Sequence, residues 1–167
     1  VRPDGDTIGS AAALCQALRD MGKTAYLLPN AGTTETYQPY AEGYWGAADF
    51  EPDYVVSVDI AALSLLPENA KKYAGRIHLS IDHHPSNEGF APHLCVMPEM
   101  AACGEIVYEI VRLMTPVTQE IALPLYVLVF WLLVNRQSYA ASWQPPQQGG
   151  SWPGQPAQPV QPGRPVR

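Results

Sequence analysis

Apolar residues recur along this chain with two alternating periods. Ile8, Ala11, Leu14 (or Cys15), Leu18 and Met21 follow helical spacing, and Gly22 is a natural stop, so Thr7 to Gly22 reads as a helix. Thr24 to Leu28 is a short apolar strand closed by Pro29-Asn30. Ala31 to Pro52, rich in Gly, Thr and Tyr, reads as a loop with at most one helical turn. Tyr54 to Asp59 and Arg76 to Ile81 are short apolar runs of the buried-strand type, and Leu94 to Met97 is a further strand. Ala61 to Ala74 reads as helix with a break near Pro67. Ala101 to Met114 is an amphipathic helix with Ile106, Val107, Ile110, Leu113 and Met114 on one face. Pro116 ends it, and Thr118 to Val134 starts another.

This alternation predicts an α/β fold: a doubly wound, mostly parallel sheet with helices on both faces. Val1-Arg2-Pro3 reads as the tail of a strand whose body lies upstream. From about Asn135 the composition changes, and Gln144 to Arg167 is dominated by Pro, Gln and Gly. Such a segment cannot bury enough apolar surface to offset chain entropy, so disorder is expected there. The domain expectation is therefore 1–134 for the folded unit and 135–167 for a tail. Ile121 to Val134 is too short for a membrane span of ~20 residues and contains Pro124, so a buried helix is expected.

Charge and cysteine usage narrow the chemistry. A net charge of −6 argues against coating nucleic acid, which needs a basic stripe, but leaves room for a small phosphorylated ligand beside bound cations. Cys15, Cys95 and Cys103 have no metal-ligand spacing and read as reduced thiols of a cytoplasmic protein. No signal peptide opens the chain.

The residues that carry chemistry lie at strand ends and helix starts, where open α/β sheets place ligands. Asp4-Gly5-Asp6 puts two carboxylates just before a helix whose free amides favour an anion. The plainer alternative is an Asp-Gly turn with Asp6 as N-cap. Asp59 ends an apolar strand, either as a metal ligand or as a cap. In Asp82-His83-His84 one histidine can bind a metal while its neighbour binds a phosphate oxygen, with Asp82 fixing a tautomer from behind. Oxygen and imidazole ligands together suit Mn²⁺ or Mg²⁺. His78 and His93 read as structural or surface residues, and Cys103 as small-residue packing rather than a nucleophile.

In these motifs the sequence resembles the DHH phosphoesterase family. Pro3-Asp4-Gly5-Asp6-Thr7-Ile8-Gly9-Ser10 is similar to the first motif of its oligoribonuclease and phosphoadenosine-phosphate (pAp) phosphatase branch, near the RecJ-type exonucleases. Asp59 matches the second motif, Asp82-His83-His84 the third, and Glu105 to Ile110 the following helix. The similarity spans about residues 1 to 127. It implies a two-ion site, usually Mn²⁺ with Mg²⁺ as the alternative, with Asp4 on one ion, Asp6 and His83 on the other, and Asp59 bridging. His84 would contact the scissile phosphate, backed by Asp82. The implied reaction is hydrolysis of pAp or short oligoribonucleotides by metal-activated water.

The implied partners are a small phosphorylated nucleotide or short RNA and a second copy of the chain, with no membrane. Cyclic-dinucleotide or single-strand exonuclease activity are sibling expectations, and a non-catalytic metal- or nucleotide-binding remnant is another. The family also carries a histidine shortly before the first motif and an aspartate after the helix starting near Thr118. Here that second region reads Leu128 to Arg136 with no acid, which predicts impaired activity and a shifted frame or damaged gene end after about Val127.

Overall fold

A computed structural model describes residues 2–47 and 49–134, with the side chains of 128–134 left out. The expected tail, 135–167, lies outside the described residues. So does any test of a strand body before Pro3.

Helix α1 runs Gly5–Asp20. Its C-terminus closes as the sequence predicts: Gly22 sits at φ 76, and the N–H groups of Gly22 and Lys23 bond the carbonyls of Arg19 and Leu18. Ala12, Ala13 and Ala17 are fully buried along α1, and these small side chains let it pack closely on its neighbours. A short helix α2 (Gln38–Ala41) interrupts the 31–52 loop. Strands β1 (Val55–Val58), β2 (Ile77–Asp82) and β3 (His93–Val96) form a parallel sheet in the order β1-β2-β3. Helices α3 (Cys103–Met114) and α4 (Gln119–Val134) follow.

Two expected elements change character. Thr24 to Leu28 is not a strand: only Leu27 bridges, to Trp45. The Leu27 N–H bonds the Tyr44 carbonyl and the Leu27 carbonyl accepts from Gly46, while the Ala25 and Gly43 carbonyls on either side are taken by the Arg19 guanidinium. Residues 61–74 are not α-helix but two 3₁₀ segments, Leu63–Leu65 and Glu68–Arg76. Pro67, extended at ψ 156, separates them: it has no N–H to donate, so no helical ladder runs across it.

The main core joins Ala13, Leu14 and Ala17 of α1, Val58 of β1, Ile81 of β2, Ile106, Val107 and Val111 of α3, and Ile121 of α4. A smaller cluster gathers Leu66, Ala70, Ile77 and Ala91 around the 3₁₀ segments. The register shift between Val55 and Val56 lets Val55 and Ile77 join that second cluster, while Val58 and Ile81 face the first. The parallel sheet is thereby wrapped by α-helices at one cluster and 3₁₀ turns at the other, in line with the α/β expectation. Over residues 119–127 helix α4 has one buried and one exposed side. Ile121 and Val127 are inside, whereas Leu123 and Tyr126 are exposed. Among the described residues no helix is long and apolar enough to cross a membrane.

Candidate metal centre

The start of α1 and the carboxyl ends of β1 and β2 converge. Asp4, not Asp6, is the N-cap of α1: its Oδ1 accepts from the Asp6 and Thr7 amides at 3.0 and 3.1 Å. Asp6 is freed for another task. Its Oδ2 accepts from the Cys103 amide at 2.8 Å, and its Oδ1 from the Gly104 amide at 2.9 Å and the Ser10 hydroxyl at 3.0 Å. The buried Asp6 carboxylate therefore stands at the positive end of α3, where the helix dipole favours an anion. Burial nevertheless pushes its pKa up, against the pull of those two amides.

Asp59 follows the last residue of β1. Its backbone is left-handed, φ 60, which costs a non-glycine residue roughly 1–2 kcal/mol. Its N–H still reaches the Ile81 carbonyl at 2.9 Å, so the turn begins at the sheet edge. The Thr7 hydroxyl donates to Asp59 Oδ2 at 2.6 Å. Asp59 Oδ1 is buried and has no hydrogen-bond partner. Burial first, then the neighbouring Asp6 charge, pushes Asp59 up to about 8.

Asp82 ends β2 and is also fully buried, but both its oxygens are occupied. Oδ1 accepts from the His83 amide at 2.8 Å, the His84 amide at 3.2 Å and His84 Nδ1 at 2.7 Å, while Oδ2 accepts from Asn87 Nδ2 at 2.7 Å. Burial opposes ionisation here too, yet the bonds from His84 and Asn87 outweigh it and hold Asp82 below the usual carboxylate range. The same bond from Asp82 raises His84 above an ordinary histidine, against the opposing effect of burial.

His83 stacks against His84 at 4.5 Å between ring centroids. Its Nδ1 lies 3.3 Å from the Met100 carbonyl. A carbonyl only accepts, so Nδ1 carries a proton, and in the tautomer that can bind a cation the lone pair is on Nε2. That lone pair lies 3.6 Å from Asp6 Oδ2 and 3.7 Å from Asp59 Oδ1. Lone pairs aimed at one another repel unless a proton or a cation lies between them.

The chain matches the model of the DHH family, N-terminal domain, over residues 1–128. It belongs to the DHH family. The match takes in all the segments just described, and DHH phosphoesterases depend on metal. A bifunctional oligoribonuclease and PAP phosphatase, NrnA, from Thermus thermophilus is 30% identical over 125 residues, covering 74% of this chain and 38% of that protein. The chain thus spans less than half the length of this curated relative. The crystal structure of an exopolyphosphatase-related protein from Bacteroides fragilis superposes with a TM-score of 0.64 at 21% identity, over 83% of this chain and 50% of the other. At that identity the likeness speaks for the fold.

The donors fit a divalent cation. Asp59, His83 and His84 each offer an atom within 4.8 Å of the others. The unpartnered Asp59 oxygen, His83 Nε2 and the Asp6 carboxylate form a part-buried cluster of acceptors that a cation would satisfy. Asp6 Oδ2 borders the pocket through His83. Asp4 stands further out, joined to Asp59 through Thr7, whose Oγ1 lies 3.2 Å from Asp4 Oδ1. The Cys103 thiol is buried, bonds the Ile81 carbonyl and is pushed far up by burial, so it packs rather than reacts. His78 accepts the Val55 amide at the register shift, a structural task.

Three participants carry no obvious motif signal: Thr7, Asn87 and the Met100 carbonyl. Thr7 lies inside the first quoted motif and Asn87 three residues after the third, yet nothing in the sequence shows which carboxylate each would touch. Met100 acts through its backbone, which sequence cannot reveal.

Proposed function

We propose that this chain is the metal- and phosphate-binding portion of a phosphoesterase acting on pAp and short oligoribonucleotides. The carrying observation is the buried, unpartnered Asp59 Oδ1 facing His83 Nε2 beside a fully bonded Asp82. Asp59, Asp6, His83 and Asp4 would hold Mn²⁺, with Mg²⁺ as the alternative. Bound divalent ions supply an acidic water and neutralise charge on the leaving oxygen.

The remaining residues position the phosphate. His84 keeps its Nδ1 proton on Asp82, which fixes the ring and favours its positive form. A cationic ring at the mouth of the site suits a phosphate oxygen. The α1 start is not free to help, because the Asp6 and Thr7 amides bond the Asp4 side chain and the Ile8 amide bonds the Asp4 carbonyl. The three free cysteines suit a reducing cytoplasm, and a second copy of the chain is the expected partner.

One observation favours a quieter reading. No acid follows Glu120 in the sequence, so every carboxylate of the site comes from the first three motifs. A chain that binds one cation without turnover is the corresponding alternative. The deciding assay offers pAp, a short oligoribonucleotide, a cyclic dinucleotide and single-stranded DNA to the 167-residue chain with and without Mn²⁺. Expected is weak, strictly Mn²⁺-dependent cleavage of the first two. Metal binding with no cleavage of any substrate would establish the binding-module reading instead. Preference for the cyclic dinucleotide or DNA would overturn the substrate assignment.

A further inference from the structure

We propose that Thr7 is a positioning residue of this metal centre: its hydroxyl holds Asp59 Oδ2 and so presents Asp59 Oδ1 as the oxygen for a divalent cation. The inference rests on the metal-site reading above and adds a residue to it.

Thr7 and Asp59 are 52 positions apart, and the 2.6 Å bond joins the first turn of α1 to the end of β1. Thr7 is itself fixed, because its amide bonds the Asp4 cap at 3.1 Å and its β-branched side chain has few rotamers in a helix. Its single hydroxyl proton goes to the nearer acceptor, Asp59, rather than to Asp4 Oδ1 at 3.2 Å. A carboxylate has two equivalent oxygens. Here one is tied to Thr7, and the other lies 3.7 Å from both His83 Nε2 and His84 Nδ1. With the hydroxyl removed, nothing described selects Oδ1 over Oδ2, and the left-handed Asp59 backbone alone must aim the group. Partners behind a metal ligand commonly tune affinity by about 10–100-fold.

The test is an EPR titration of free Mn²⁺ with the 167-residue chain and with Thr7→Val and Thr7→Ser. Valine keeps the shape and removes the proton; serine keeps the proton. Expected is about 10-fold or greater weakening in the valine variant and recovery to within about threefold in the serine variant. Should Thr7→Val lose its helical circular dichroism, Thr7→Ala replaces it, removing the hydroxyl without adding an apolar atom. Equal Mn²⁺ affinity of parent and valine variant would overturn the inference. So would equal weakening by serine, which would make the methyl, not the hydroxyl, the active part. Failure of the parent chain to bind Mn²⁺ would overturn the metal-site reading itself, a separate result.

Discussion

Asp59 and Asp82 close neighbouring parallel strands, both are buried, and they are opposite in character. Asp82 has three donors on one oxygen and one on the other, and stays ionised below the usual range. Asp59 has one hydroxyl on one oxygen and nothing on the other, and is pushed up to about 8. At Asp82 the bonds from His84 and Asn87 outweigh burial, whereas at Asp59 burial and the neighbouring Asp6 charge prevail over a single hydroxyl. A carboxylate saturated by the protein is an orienting part. A carboxylate left short at the same sheet edge awaits a partner that the protein does not provide.

The sharpest way to break this comparison is Asp59→Asn. The amide keeps the shape and the Thr7 contact but removes the negative charge. Loss of a ligand should exceed the effect of losing a supporting partner, so Mn²⁺ affinity should fall ~100-fold or more, with cleavage of pAp falling alongside. Isothermal titration with Mn²⁺ reads it directly. Near-parental affinity would mean that the cation does not sit on Asp59.

The pH dependence of stability follows next in size. The folded pKa of Asp59 is raised above its unfolded value of 3.8 to about 8, so the native state binds the extra proton. Its contribution is fully present below about pH 4 and is lost as pH rises towards 8. Asp6, also raised, adds the same sign, and His84 adds to it above pH 6.5. Asp82 has the reverse sign, its contribution being lost only as pH falls below 3.8. Urea melts in EDTA should therefore show stability declining from pH 4 to 8. Mn²⁺ should remove most of the decline, and Asp59→Asn should flatten it without metal. A rise in stability over that range would show that Asp59 is an ordinary paired carboxylate.

How much of this was legible in the sequence depends on the reach of each interaction. The Gly22 stop and the strands ending near Asp59 and Asp82 are local patterns, and the structure places them within a few residues; the α3 face holds at Ile106 and Val107 but not at Leu113, which is 79% exposed while Val111 is buried in its stead. Residues 24–28 pair at Leu27 alone, with the Ala25 carbonyl taken by Arg19; in 61–74 the break at Pro67 is where the sequence puts it, but the segments on either side are 3₁₀ rather than α. Asp6 shows the deeper limit. Its position before a helix suggests capping of that helix, yet Asp4 takes that place and Asp6 serves the N-terminus of α3, 97 positions away. The chemistry of the motif was visible residue by residue; the assignment of each oxygen to a donor belongs to the fold.

The smallest expected effect tests the Asp82 side. Asn87→Ala removes the donor at 2.7 Å on Asp82 Oδ2 and leaves a buried anionic oxygen short of a partner. That should destabilise the chain by about 1–3 kcal/mol in urea melts. It should also loosen the hold of Asp82 on His84, lowering cleavage by about 10-fold through kcat more than KM. Among the described residues Asn87 makes no hydrogen bond with Asp59 or His83; its Nδ2 reaches Asp82, Ser80 and the Ile60 carbonyl. Mn²⁺ affinity should therefore stay within about twofold of the parent, the mirror image of Asp59→Asn. If Asn87→Ala weakened Mn²⁺ as strongly as the loss of Asp59 itself, the two strand-end carboxylates would be a single coupled unit. The division between an orienting acid and a metal-binding acid would then fail.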